Sequence, residues 1–158
     1  MAHLIEEYAK NLGCKISKPH LADHFYPIPF DKYITFHTND EKVQAKHFDY
    51  WPTVFALIGD YLSSEGIKVV QIGGSKDPIF NQCDLDTRGA TFKQMSYIIS
   101  KSIFHFGIDS LPMHMASHHD KKMVCLFSNL FPSNASPIWN KKNKYKLLSP
   151  DFSKIKPS

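Results

Sequence analysis

The sequence is poor in arginine and cysteine and contains no long apolar run. Arg88 is the single arginine among 19 basic residues, and because base recognition in nucleic acids relies heavily on arginine, we expect no specific nucleic-acid partner. The three cysteines are far apart and form no CxxC pair, which argues against a disulfide framework or a zinc ribbon and favours a reducing compartment. The longest apolar run, residues 54–58, is far shorter than the roughly 20 residues that span a bilayer.

Length and composition favour one folded domain in the cytoplasm. The chain has 158 residues, of which 42% are apolar and 13% aromatic, and this composition supports a packed core and excludes wholesale disorder. The first ten residues are charged almost from the start and lack the apolar segment of a signal peptide. We therefore expect a cytoplasmic protein without a transmembrane segment.

The chain divides into three parts. Residues 1–30 begin with a helical pattern that ends at Gly13 and continue as a proline-broken linker, so they are predicted to be a connector helix and linker. Residues 31–131 alternate between β-type runs and helical periodicity. Residues 132–158 are rich in proline and lysine and are predicted to form a peripheral C-terminal arm.

The middle part has the pattern of a parallel α/β sheet. Its four β-type runs fall at 32–37, 67–72, 102–106 and 123–127. Helices are predicted between them, beginning near Pro52, at a Thr91 capping box and near Pro112. Such alternation with short connections means parallel strands joined by right-handed crossovers, so we expect a Rossmann-like three-layer sandwich with a mainly parallel sheet.

Ligands of such sheets bind beyond the carboxyl ends of the strands. The chemistry is therefore expected in the loops that follow the strands, at 37–47, 73–78, 86–91 and 107–114.

The most informative of these loops leads from the third predicted strand into a helix. Gly107 allows the chain to turn, and Asp109 and Ser110 precede Pro112 in the first helical turn. A helix N-terminus offers unpaired N–H donors and partial positive charge, which suit a diphosphate. The alternative is that Asp109 or Ser110 is a helix cap and His114 a hydrogen-bonded packing residue.

This loop, read from Asp109 to His114 and followed by Met-Ala and a strand, resembles the C-terminal domain of the ADP-heptose:lipopolysaccharide heptosyltransferase family, glycosyltransferase family 9. The resemblance extends in order over roughly residues 1–139. It includes Ala45-Lys46-His47-Phe48 before Tyr50-Trp51-Pro52, the Gly73-Gly74 pair, and the stretch 87–95. These enzymes have the GT-B fold, which consists of two Rossmann-like domains, and their second domain binds the sugar nucleotide.

The resemblance implies the function of a donor-binding domain. It would bind a nucleotide diphosphate sugar for inverting transfer to a saccharide or lipopolysaccharide-type acceptor. No metal and no cofactor are implied, because a lysine and a helix terminus can offset the charge of the leaving diphosphate. The catalytic base of the family belongs to an N-terminal domain, and this chain begins at the connector, so a partner carrying that domain, or self-association through the exposed cleft face, is expected.

The resemblance also assigns roles to individual residues. Lys46 would be the catalytic group that pairs with the donor phosphates, and Asp109, Ser110, Leu111 and His114 would hold the diphosphate and the sugar. The further substrate-binding positions are Asp77, for ribose hydroxyls, and Gly73, Gly74 and Thr38.

The chain departs from the family pattern at two of these positions. Leu111 replaces a glycine, which adds a side chain where the backbone would approach phosphate. His37-Thr38-Asn39 replaces a His-Pro-Gly type of turn. Both changes are expected to reshape the donor pocket.

Other interpretations remain open. His114 and His118 share a helix face at the spacing of zinc-binding helices, but a third ligand would have to come from elsewhere. The lysines at 141–146 could dock on nucleic acid or an anionic membrane, or simply solvate an exposed end. The chain could also be a non-catalytic nucleotide-binding, sugar-binding or assembly module derived from a transferase domain, so whether it is an enzyme stays undecided from the sequence.

Overall fold

The computed structural model describes residues 3–40, 44–128, 131–141 and 144–150. A short 3-10 helix covers Gln44–Lys46. The other elements, in chain order, are α1 (Leu4–Leu12), β1 (Tyr33–His37), α2 (Trp51–Ser64), β2 (Lys68–Gln71), β3 (Leu85–Asp86), α3 (Phe92–Lys101), β4 (Phe104–Ile108), α4 (Leu111–His118), β5 (Lys122–Leu126), α5 (Pro132–Ala135) and β6 (Tyr145–Leu148).

The strands form one six-stranded sheet in the order β3-β2-β1-β4-β5-β6. All five pairs of neighbouring strands are parallel. The order reverses direction after β3, so β1 and β4 lie side by side at the centre of the sheet. A parallel sheet whose connections contain helices is the fold class expected from the sequence, and that expectation is confirmed.

The two faces of the sheet are covered unequally. Helices α3, α4 and α5 pack on one face, against side chains such as Val70, Met123 and Cys125. Helix α2 packs on the other face, where Phe36 is surrounded by the rings of Trp51 and Phe55. A groove of about 550 Å³ remains between α2 and the N-terminal halves of β4 and β5.

The local sequence explains where the helices begin. The Thr91 hydroxyl accepts a hydrogen bond from the backbone N–H of Gln94, and the side-chain oxygen of Gln94 accepts one from the backbone N–H of Thr91, so the predicted capping box of α3 is present. Proline lies in the first turn of α2 and of α4, where its missing N–H costs nothing. Helix α1 ends at Gly13, which has the left-handed φ of 64°.

The structure differs from the predicted division of the chain at residues 132–158. Tyr145–Leu148 is not peripheral but forms the edge strand β6, which pairs with β5. Tyr145 and Leu147 pack against the core while Lys146 and Leu148 are exposed. The predicted arm beyond Pro150 lies outside the described residues. Within the described ranges, no helix is long and apolar enough to cross a membrane.

Candidate functional site

A pocket of about 350 Å³ lies at the carboxyl edge of the sheet, where β1, β2 and β4 end. It is placed at the reversal of strand order, which is the position where open α/β sheets bind ligands. Its walls are residues of four loops and of the first turns of α3 and α4: His37, Asp40, Gly73, Gly74, Asp77, Gly89, Ala90, Phe92, Met95, Ser110, Leu111 and Pro112.

Lys46 and Asp109 meet at this edge, beside the pocket. The ammonium of Lys46 donates to the backbone carbonyl of Asp109 at 2.6 Å and lies 3.4 Å from its carboxylate Oδ2. The Asp109 side chain is only 6% exposed, and its Oδ2 has no hydrogen-bond partner among the described residues. The 3.4 Å contact is therefore a charge pairing without hydrogen-bond geometry, and Lys46 is the cation that compensates this buried carboxylate.

Ser110 precedes helix α4 but does not cap it. Its backbone is extended and its hydroxyl makes no bond to the first-turn N–H groups. The hydroxyl instead lies 2.8 Å from Nδ1 of His37 and 3.2 Å from the carbonyl oxygen of Ile108. In the first turn of α4, Pro112 has no N–H and the N–H of Met113 donates to the carbonyl oxygen of Ser110, so the N–H of Leu111 is the group that could meet an anion there.

His37 connects Ser110 to Asp77. Its Nε2 lies 3.2 Å from Oδ2 of Asp77, and the same oxygen accepts the N–H of Gly74 at 2.6 Å. Arg88 donates to the backbone carbonyl of Asp77, and this contact helps to fix the loop that follows β2. Asp77, His37 and Ser110 therefore form one hydrogen-bonded chain along the wall of the pocket.

Two glycines make this chain of contacts possible. Gly73 has a φ of 146°, and a Cβ there would clash with the Asp77 carboxylate and the His37 ring. A Cβ on Gly107 would lie 2.5 Å from the backbone oxygen of His37. Gly73, which the sequence assigns to ligand binding, thus also packs against His37 and Asp77.

The predicted binding residues divide into three groups. Gly73, Gly74, Asp77, Ser110 and Leu111 line the pocket, and the Leu111 side chain is 51% exposed, so it does not bury the helix end. Lys46, Asp109 and His114 are not among the residues that line it. Lys46 contacts Asp109 and lines a separate pocket of about 330 Å³, together with Ile108, Leu126 and Leu148. Burial lowers the pKa of His114, against the opposing effect of Asp109, while Lys46 adds to the lowering.

Thr38 is the predicted residue that the structure places apart from the pocket surface. It is 3% exposed, and its hydroxyl donates to the carbonyl oxygen of Pro78. Thr38 therefore holds the loop after β2 instead of making the predicted contact with substrate, because its hydroxyl proton is donated to the carbonyl oxygen of Pro78.

His37 is the residue that the sequence did not assign to the site. Its partners lie 40 and 73 residues away in the chain, so no local pattern indicates them. The available signal was its position as the last residue of β1, at the carboxyl edge of the sheet. Phe92, which is 48% exposed on the pocket wall, was likewise not assigned to the site.

No group of three or more histidine, cysteine, aspartate or glutamate side chains is arranged to hold a metal ion within the described part of the chain. His118 ends α4 beside His119, with ring centroids 5.0 Å apart. His119 contacts the buried Ser96, which also donates to Asp23 of the linker. These histidines therefore hold the linker against α3 and α4.

Comparison with known proteins gives structural similarity only. No protein-family model and no curated protein matches the chain. A glycosyl transferase of family 9 from Veillonella parvula DSM 2008 is 20% identical with a TM-score of 0.62, and covers 91% of this chain and 39% of its own. The ADP-heptose lps heptosyltransferase II of E. coli is 20% identical with a TM-score of 0.60, covering 90% and 42%. The E. coli heptosyltransferase WaaC with ADP is 16% identical with a TM-score of 0.61, covering 91% and 48%.

These likenesses concern the fold, and they match the family named from the sequence. The chain spans less than half the length of each of the three structures. From the parallel sheet, the pocket at its carboxyl edge and these similarities together, the chain has the Rossmann-like fold found within glycosyltransferases of family 9.

Proposed function

We propose that this chain is the donor-binding part of a heptosyltransferase-like glycosyltransferase, and that it binds a nucleotide diphosphate sugar at the carboxyl edge of its sheet. The observation that carries this proposal is the uncapped start of α4 beside Lys46. Ser110 turns away from the first-turn N–H groups, and the Lys46 ammonium reaches the adjoining residue at 2.6 Å. The N–H of Leu111, at the positive end of the helix and next to a cation, is suited to a phosphate oxygen of a diphosphate.

Lys46 serves two roles in this proposal. An ammonium group has three N–H donors, and the described contacts direct it to the carbonyl and carboxylate of Asp109. Of these two contacts, the one to the carbonyl oxygen has hydrogen-bond geometry, so the ammonium keeps donors for a ligand oxygen. In the transfer reaction, the acceptor hydroxyl attacks the anomeric carbon, the bond to the nucleotide diphosphate breaks with inversion, and the cation offsets the charge on the leaving group.

The pocket on the other side of Ser110 has room for the nucleoside. Its volume of about 350 Å³ lies at the low end of the range for small-molecule sites. Phe92 offers an exposed ring for stacking on a base, and Asp77, the residue assigned to the ribose hydroxyls, lines the same pocket. In this proposal, the catalytic base and the acceptor site belong to a second domain. The proposal also includes a cytoplasmic location, which is expected because the cysteines form no disulfide framework in the sequence.

Calorimetric titration with ADP-, UDP- and GDP-sugars tests this function. We expect one of them to bind, and we expect Ser110→Ala and Lys46→Met to weaken that binding by about tenfold or more, the loss of one charge-assisted contact. Lys68→Met is the matched control, because Lys68 forms an exposed ion pair with Asp84 at the start of β2. The proposal fails if no nucleotide sugar binds, or if the control weakens binding as much as Lys46→Met.

A further inference from the structure

His37 controls what the Ser110 hydroxyl can offer to a ligand. Asp77 Oδ2 accepts the N–H of Gly74 at 2.6 Å and lies 3.2 Å from Nε2 of His37. A carboxylate that accepts a hydrogen bond from the ring requires the proton to be on Nε2. In the neutral ring, Nδ1 is then a lone pair, and Ser110 must donate its own proton to it across the 2.8 Å contact.

Neutral His37 therefore leaves Ser110 unable to donate to an oxyanion. Its one hydroxyl proton is held by Nδ1, and only its lone pairs face the pocket. When Nδ1 is protonated, the ring donates to Ser110, and the hydroxyl proton becomes free. Without a ligand it can turn to the carbonyl oxygen of Ile108, which lies 3.2 Å away; with a ligand it can turn to a phosphate oxygen.

We propose that binding of a diphosphate at the start of α4 takes up one proton, which His37 accepts at Nδ1 so that Ser110 can donate its hydroxyl proton to the ligand. The inference rests on the proposed function. His37 acts through Ser110 and is a positioning residue. The balance is simple: one proton moves from solvent to Nδ1, the Ser110 proton changes acceptor, and no other covalent bond forms or breaks.

Two carboxylates lie near His37 and would face the imidazolium formed in this proposal. The Asp77 carboxylate lies against one ring nitrogen, and opposite charge stabilises an imidazolium. The His37 side chain is only 6% exposed, so the added charge interacts strongly with both Asp77 and a bound anion. Asp40, on the same pocket wall, adds a further negative charge.

His105, His114 and the Lys46–Asp109 pair are the other titratable groups near His37, and His37 is the one that contacts the Ser110 hydroxyl. His105 of β4 lies on the same face of the sheet, and complete burial, together with His37, lowers its pKa to about 3. Burial also lowers the pKa of His114. Lys46 and Asp109 already pair with each other. His37 is therefore the group expected to change its charge when the anion arrives.

The test measures the number of protons taken up with the ligand. The nucleotide sugar that binds is titrated into the full chain by calorimetry, in two buffers of different ionisation enthalpy at about pH 7.5. A diphosphate diester carries no group that titrates near neutral pH, so proton uptake reports on the protein. We expect a measurable net uptake that reaches at most about one proton per ligand. The affinity should fall by up to about tenfold per pH unit as the pH rises.

Three variants separate the positioning role from a structural one. His37→Asn places an amide near the position of Nδ1. The amide can donate a hydrogen bond to Ser110 but cannot titrate, so this variant should bind the ligand without proton uptake. Ser110→Ala should lose the uptake and weaken binding. His20→Asn, in the exposed linker, should leave the proton count unchanged.

The outcomes distinguish this inference from the proposed function. Binding by the wild-type protein without proton uptake, or unchanged uptake in His37→Asn, refutes the role of His37 while the donor-binding function stands. Absence of binding by every nucleotide sugar refutes both.

Discussion

Removal of the Lys46 ammonium should destabilise the whole domain because it leaves a buried carboxylate without its compensating charge. The Asp109 side chain is 6% exposed, and the Lys46 ammonium 3.4 Å away is its compensating charge. Loss of one partner of a buried ion pair typically costs 3–5 kcal/mol. Since Lys46 itself is 18% exposed and water can partly replace it, we expect about 3 kcal/mol for Lys46→Met. For a chain of this length, that corresponds to a fall in Tm of roughly 6–12 °C.

Urea and thermal unfolding of Lys46→Met measure this loss, with Lys68→Met as the control. The control removes an exposed pair with Asp84 and should cost less than about 1 kcal/mol. The double variant Lys46→Met/Asp109→Asn should recover most of the loss, because no charge is then left buried. A cost below about 0.5 kcal/mol would refute the account of this pair.

Three further predictions concern the sheet and its helices. Gly107→Ala should cost about 1–3 kcal/mol or more in unfolding free energy, because the new Cβ meets the backbone oxygen of His37 at 2.5 Å. His105→Gln should remove a pH dependence of stability. Burial lowers the pKa of His105 to about 3, so as the pH falls from about 6.5 the unfolded chain binds a proton that the folded chain does not, and stability falls by up to about 1.4 kcal/mol per pH unit. Thr91→Ala should cost about 1 kcal/mol through loss of the α3 capping box.

Chemical unfolding of each variant beside the wild type checks these three predictions. Wild-type stability for Gly107→Ala would mean that β1 and β4 can separate at this point without penalty. For His105, the informative quantity is the difference between wild type and variant across the pH range, since burial also lowers the pKa values of His114 and His119; equal slopes would contradict the argument. An unchanged Thr91→Ala would show that α3 is held by packing alone.

The sequence was sufficient for the central strands and helices because their signals are local. The capping box at Thr91, the proline in the first turn of α2 and the apolar runs of β1, β2 and β5 each indicate structure within a few residues. The third predicted strand was shifted, since β4 covers Phe104–Ile108 and includes Gly107. A glycine in a strand marks a close backbone approach, which here is the contact with His37.

Elements without a local signal could not be predicted. Strand β3 has only two residues, Leu85 and Asp86, and depends on pairing with β2. Strand β6 lies among lysines, whose charges indicate a solvated tail, although Tyr145 and Leu147 alternate toward the core. Lysines on an edge strand protect it from pairing with a strand of another molecule. The lysines that made β6 hard to predict are therefore suited to its position at the edge of the sheet.

The site was predicted at the level of its loops and less well at the level of its contacts. Position at the carboxyl edge follows from strand order, whereas the binding roles of Lys46 and Asp77 were assigned by the resemblance to the transferase family. The roles of Lys46, Asp77 and Asp109 in binding stay predictions. The internal use of Thr38 and the linking role of His37 depend on partners far away in the chain. Such contacts arise only when the sheet is assembled.

The account depends on anion binding at the start of α4, and amide chemical shifts measured during titration with a nucleotide diphosphate sugar test it most directly. We predict that the largest shifts occur at Ser110, Leu111, Gly73 and Gly74, which line one pocket although they come from different loops. Shifts confined to the groove between α2 and β4, or no shifts at saturating ligand, would contradict it.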